Sequence, residues 1–175
     1  NNKAGIDNPK KSFGSISGSF VDLGNIDIKN ITDVHSENHK RSDITIIAEG
    51  IETGLSVKQS LYEHSNTEET TTANINIKTL CSLGIGKIKN YEPASYEKII
   101  IAADNDGKDR VTAKTITNAK SVLEEKGAFV EIVKPENDGD FNDVLQDKEN
   151  GGSRVIADCF KEAIARHSSQ TLGTY

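Results

Sequence analysis

The chain has no methionine and no tryptophan, only three prolines and two cysteines, and aromatics make up 5% of its 175 residues. Each shortage excludes something. Cys81 and Cys159 stand far apart without metal-ligand spacing, so neither a disulfide-dense scaffold nor a cysteine zinc site is on offer. They read as reduced thiols of a cytoplasmic protein rather than as a disulfide. No apolar run approaches the roughly 20 residues that a membrane helix needs, so no membrane partner is expected. Positive charge is short as well. Lys and Arg number 21 against 27 Asp and Glu, for a net charge of -6 and a pI near 5.3. A free-standing duplex binder carries a basic face, and that class is excluded. Nucleic acid held through a metal, or by a neighbouring domain, is not. The first residue is Asn1 rather than methionine, and a fragment of a longer protein is the expectation.

What is present is an alternation of short apolar runs with amphipathic segments. The run from Lys98 to Ala103 is rich in Ile and stops in Asp104-Asn105-Asp106-Gly107. Asp43 to Ala48 is a second such run, stopping in Glu49-Gly50. Both have the character of strands buried on two faces of a parallel sheet. Further strands are expected at 12–24 (a strand or hairpin between glycines), weakly at 25–31, at 73–83 and at 128–134. A helix is predicted over 53–64, with Leu55, Val57, Leu61 and Tyr62 as an imperfect buried stripe. Another runs over 110–126 and stops at Gly127. A short one begins at Phe141. Val155, Ile156, Cys159, Phe160, Ala163 and Ile164 mark the clearest amphipathic helix, over 153–166, with a frayed polar tail from His167.

Strands alternating with helices predict an α/β fold with a central, mostly parallel sheet flanked by helices. An N-terminal strand or hairpin extension (1–42), a main domain (43–147) and a C-terminal helix with its tail (148–175) complete the expected organisation. Right-handed crossovers would put the carboxyl ends of neighbouring strands on one edge, where ligands of open α/β sheets sit. Glu49, Asp104 and Asp106 would meet there, with the acidic turn at Asp138 and Asp140 beside them if the following strand is adjacent. Carboxylates gathered in this way suit a hard divalent cation, and cations so held serve phosphoryl or nucleotidyl transfer.

Taken together, Ile47-Ala48-Glu49-Gly50-Ile51-Glu52-Thr53-Gly54-Leu55-Ser56 and Ile100-Ile101-Ala102-Ala103-Asp104-Asn105-Asp106 resemble the Toprim domain, a Rossmann-like fold. The family's signature is a Glu-Gly after one strand and an Asp-x-Asp after a later one. The Glu-Gly-Ile-Glu-Thr form is similar to the primase-like subgroup found in plasmid mobilisation and conjugative-transfer (relaxase-type) proteins and in phage-type primases. Ser12 to Leu23 resembles the strand preceding the domain there, and Asp140-Phe141-Asn142-Asp143-Val144-Leu145 its closing turn. The resemblance implies catalytic and metal-binding roles for Glu49, Asp104 and Asp106, with Glu49 as general acid/base. Glu52, Asp140 and Asp143 are lesser metal candidates, and the latter two are equally suited to capping a short helix. The implied cofactor is Mg2+, with Mn2+ as substitute. The implied partners are single-stranded DNA, nucleotides and other domains of the same chain. A metal-dependent nuclease and a non-catalytic binding module are the alternatives. Where many primase-like members carry a glycine three residues after the second Asp, this chain has Asp109.

Two competing motifs fail, one on spacing and one on a residue. A calcium loop starting at Asp104 would need its glycine at the sixth position, not the fourth. A dehalogenase-type phosphatase would want Thr where Lys108 stands. His35, His39, His64 and His167 show no metal spacing and read as surface residues.

Overall fold

The computed structural model describes residues 19–30, 42–65, 73–105 and 110–169. Asp106, Asp109, His35, His39 and the first part of the strand expected at 12–24 lie outside the described residues.

Five strands form one sheet: β1 (Val21–Asn30), β2 (Ser42–Ala48), β3 (Ala73–Cys81), β4 (Lys98–Ala102) and β5 (Phe129–Val133). Their spatial order is β1-β3-β2-β4-β5. The pairs β3–β2, β2–β4 and β4–β5 are parallel, and β1 alone runs antiparallel, along β3. The helices are α1 (Ile51–Ser65), α2 (Arg110–Glu125), α3 (Phe141–Gln146) and α4 (Ser153–Ser169). This is the expected α/β architecture. The two N-terminal strand segments prove to be one strand where they are described. A register irregularity between Asp22 and Asn25 carries β1 through the glycine that interrupts its alternation. Gly24 takes φ +80° there and donates its N–H to Asp22 Oδ1 at 2.7 Å, the behaviour of a β-bulge.

The central strands are buried on both faces, as their apolar runs require. On one face Ile44, Ile46, Ala48, Ile100 and Ala102 pack with Val57 and Leu61 of α1, Phe141 of α3, and Ile156, Phe160 and Ala163 of α4. On the other, Ile47, Ile99, Ile101 and Ala103 pack with Ile116, Ala119 and Leu123 of α2 and with Ile88 of a 3-10 turn (Ile85–Asn90). Full burial of each such Ile stabilises the fold by roughly 1.5–3 kcal/mol.

The buried stripe of α1 differs from the expected one. Leu55 and Tyr62 are 49% and 61% exposed, whereas Thr53, Gly54, Ser56 and Ser60 are buried beside Val57 and Leu61. At Gly54 the helix lies too close to the sheet for a side chain. A Cβ on Gly54 would stand 2.7 Å from Cys81 Sγ and 2.9 Å from Leu23 Cδ1. Burial also pushes the Cys81 thiol up to about 11, and both cysteines are free thiols.

The surface reading of His167 is overturned. It is 4% exposed, and α4 runs on to Ser169. The cause is legible in the helical period, since 156, 160, 163, 164 and 167 share one stripe. His64 is half-buried, and its Nε2 lies 3.1 Å from Ser153 Oγ, joining the end of α1 to the start of α4.

Gly54→Ala should lower stability by up to about 2 kcal/mol, because an overpacking cost of roughly 1–3 kcal/mol is only partly offset by the roughly 1 kcal/mol that alanine gains in a helix; a urea melt measures it. A second prediction concerns His167, whose Nε2 lies 4.0 Å from Glu131 Oε2. Burial holds its pKa below the ordinary 6.5, the charges of Lys98 and Arg166 act the same way, and Glu131 opposes them. The unfolded chain therefore takes up this proton first, and stability should fall as the pH drops through 6.5. His167→Asn should flatten that part of the pH profile of the urea midpoint.

Candidate functional site

The parallel register of β2 on β4 pairs Ala48 with Ala102. Beyond these residues both strands run out at the carboxyl edge of the sheet. Ala103 still donates its N–H to Val133 O at 2.9 Å, so β4 stays tied to β5 until Asp104. Glu49 leaves β2 and the chain turns at once into α1, where Gly54 N–H donates to Gly50 O at 3.1 Å. Glu49 and Asp104 thus stand at the ends of adjacent strands, both half-buried.

Helix α1 reaches across to β4. Thr53, 3% exposed, donates its hydroxyl to Asp104 Oδ1 at 3.4 Å. One turn on, Ser56 Oγ donates to Glu52 O at 2.9 Å and lies 3.5 Å from Asn142 Oδ1 on α3. Glu52 is exposed in the first turn of α1, where a negative charge is favoured by the helix dipole.

The acidic turn after β5 is at the same edge, bridged to the end of β4 through Asn105 and Gly139. Its aspartates are committed to α3. Asp140 Oδ1 accepts from the N–H groups of Asn142 and Asp143 at 2.8 and 2.9 Å, and Asp143 Oδ2 accepts from Asp140 N–H at 3.1 Å. This reciprocal pair is a capping box. It anchors a helix of one and a half turns whose Phe141 is fully buried against Phe160. Of the two roles open to Asp140 and Asp143, the described contacts are those of caps.

The structure therefore brings Glu49 and Asp104 to one edge, adds Thr53 to Asp104, and sets Asp140 and Asp143 beside them in a structural role. Asp106 lies outside the described residues. Among the described residues no three His, Cys, Asp or Glu side chains converge as a metal cage. An octahedral ion that keeps several waters is bound through one or two carboxylates plus substrate phosphates. The oxygen donors of Glu49 and Asp104 fit that description. Thr53, Ser56, Asn105 and Asn142 were not singled out from the sequence as site residues. The signal for Thr53 and Ser56 was their spacing after Glu49, which sets both on the helix face that meets the sheet.

Compared with known proteins, residues 44–151, more than half of the chain, match the Toprim domain. The chain belongs to the Toprim family, whose domains bind divalent metal ions and serve metal-dependent nucleic-acid processing. No curated protein and no solved structure matches it. No helix among the described residues is long and apolar enough to cross a membrane.

Asp140→Ala should cost about 1 kcal/mol of stability through loss of the cap, and Asp140→Asn nearly nothing, since Asn caps as well as Asp. Equal losses in both variants, read by thermal melting, would show that the carboxylate charge matters more than the cap.

Proposed function

We propose that this chain is the Mg2+-dependent, primase-like Toprim domain of a larger DNA-processing protein, acting in nucleotidyl transfer during plasmid or phage replication or conjugative transfer. The observation that carries this reading is the pairing of Ala48 with Ala102, which sets Glu49 and Asp104 on neighbouring strand ends. Mn2+ would substitute for Mg2+. Asp104, and Asp106 by the family's motif, would hold the ion through carboxylate oxygens. When bound, the ion neutralises phosphate charge and stabilises the charge that develops in phosphoryl transfer. Glu49 would take the proton of the attacking hydroxyl, or return one to the leaving group. Thr53 would hold the Asp104 carboxylate toward the edge rather than over the helix.

Single-stranded template and nucleotides are the proposed partners, entering at the carboxyl edge, with other domains of the same protein supplying the grip on DNA. The net charge of -6 supports that division of labour. An acidic surface repels the phosphate backbone unless cations are interposed. The main unit is taken as 43–147, with the C-terminal helix packed onto it.

A primer-synthesis assay with labelled nucleotides and Mg2+ tests the proposal. Glu49→Gln and Asp104→Asn should each reduce product by at least about a hundredfold, the scale of losing a general base or a phosphoryl-charge stabiliser. Product formation surviving both substitutions would refute it. Cleavage of DNA under the same conditions would favour a nuclease, and silence in both assays with metal binding intact would favour a binding module.

A further inference from the structure

Asn105 follows Asp104 and is tied to the loop after β5 by both its backbone and its side chain. Its backbone N–H donates to Gly139 O, and its carbonyl accepts from Gly139 N–H, both at 2.8 Å. Its side-chain Nδ2 lies 3.1 Å from Pro135 O, 3.3 Å from Glu136 O and 3.2 Å from Asn137 O. An amide has two N–H donors. Three successive carbonyls therefore share two hydrogens, and the loop after β5 must curl around the side chain to present them. The backbone bridge alone would close the turn. The side chain adds a directional tie along the whole stretch from Pro135 to Asn137.

The tie has consequences on both sides. The end of β4 that carries Asp104 cannot shift without the loop. The loop in turn leads into the Asp140 cap and α3, whose Asn142 meets Ser56 on α1, and α1 returns through Thr53 to Asp104. The contacts close a ring around the strand end. Only a donor fits at the centre of three carbonyls, which distinguishes Asn from the isosteric Asp.

We infer that Asn105 is a positioning residue for the divalent-metal site, making the end of β4 and the loop from Pro135 to Gly139 one unit, so that metal affinity and loop order are linked. The inference rests on the proposal that Asp104 binds the ion. Linkage is reciprocal: if an ordered loop tightens metal binding, bound metal must order the loop.

The test is a calorimetric Mg2+ titration of the full chain beside hydrogen exchange with and without Mg2+. Asn105→Ala should weaken Mg2+ affinity by about tenfold, the lower end for residues that orient metal ligands, while far-UV circular dichroism stays native. In the unmodified chain, saturating Mg2+ should slow exchange of the Gly139 and Asn105 amides severalfold. This second readout decides the matter even if Asn105→Ala fails to fold, and unchanged exchange would overturn the inference. Asp104→Asn separates the two layers. If it leaves Mg2+ affinity intact, the metal assignment itself falls. If it abolishes affinity while Asn105→Ala does not weaken it, only the role of Asn105 is lost.

Discussion

Everything at the candidate site depends on one constraint, the parallel pairing of β2 with β4. Parallel strands end on the same edge, and after the last pair, Ala48 with Ala102, Glu49 is one residue on and Asp104 two. Glu49 and Asp104 are 55 residues apart in the chain by their numbers, yet both emerge at that edge. A slip of one residue would turn every Ile of either strand to the opposite face. The core packing that stabilises the fold therefore also enforces the alignment of the acids.

Helix α1 shows how tightly this arrangement is drawn. Its buried face is made of Thr53, Gly54, Ser56 and Ser60 with Val57 and Leu61 between them. Small residues let the helix approach the sheet closely, and that approach brings the Thr53 hydroxyl to Asp104. A helix with a larger apolar stripe would stand farther off and leave Asp104 without this contact. Packing and site geometry are one problem here, solved by residues that look unremarkable in a hydropathy profile.

The acidic turn after β5 illustrates a different division. Asp140 and Asp143 follow the Gly139 bridge at the same edge and carry the same charge as Glu49 and Asp104, but Asp140 accepts from the N–H groups of Asn142 and Asp143, and Asp143 from that of Asp140. The turn serves the site by holding Phe141 in the core and Gly139 against Asn105. Membership in the Toprim family supplies the general chemistry, metal-dependent nucleic-acid processing, and the finer primase-like assignment remains the proposal argued above.

Much was legible in the sequence, because strands buried on two faces are unbroken apolar runs and their ends are marked by acids and glycines. The runs at 43–48 and 98–103, the α/β alternation and the amphipathic α4 follow from local pattern alone. So does the capacity of Asp140 to cap, since its hydrogen bonds span only three residues. What local pattern could not supply was anything set by contact across the chain. The approach of His167 to Glu131 on β5 depends on how α4 packs. The small-residue face of α1 depends on how near Cys81 and Leu23 come. The gathering of three carbonyls on Asn105 needs β5 beside β4. Periodicity and turn chemistry, both local, set where strands and helices lie and which acids end them. Which polar groups those acids meet is a property of the folded chain, because hydrogen bonds between distant segments exist only once burial has set the strands in register.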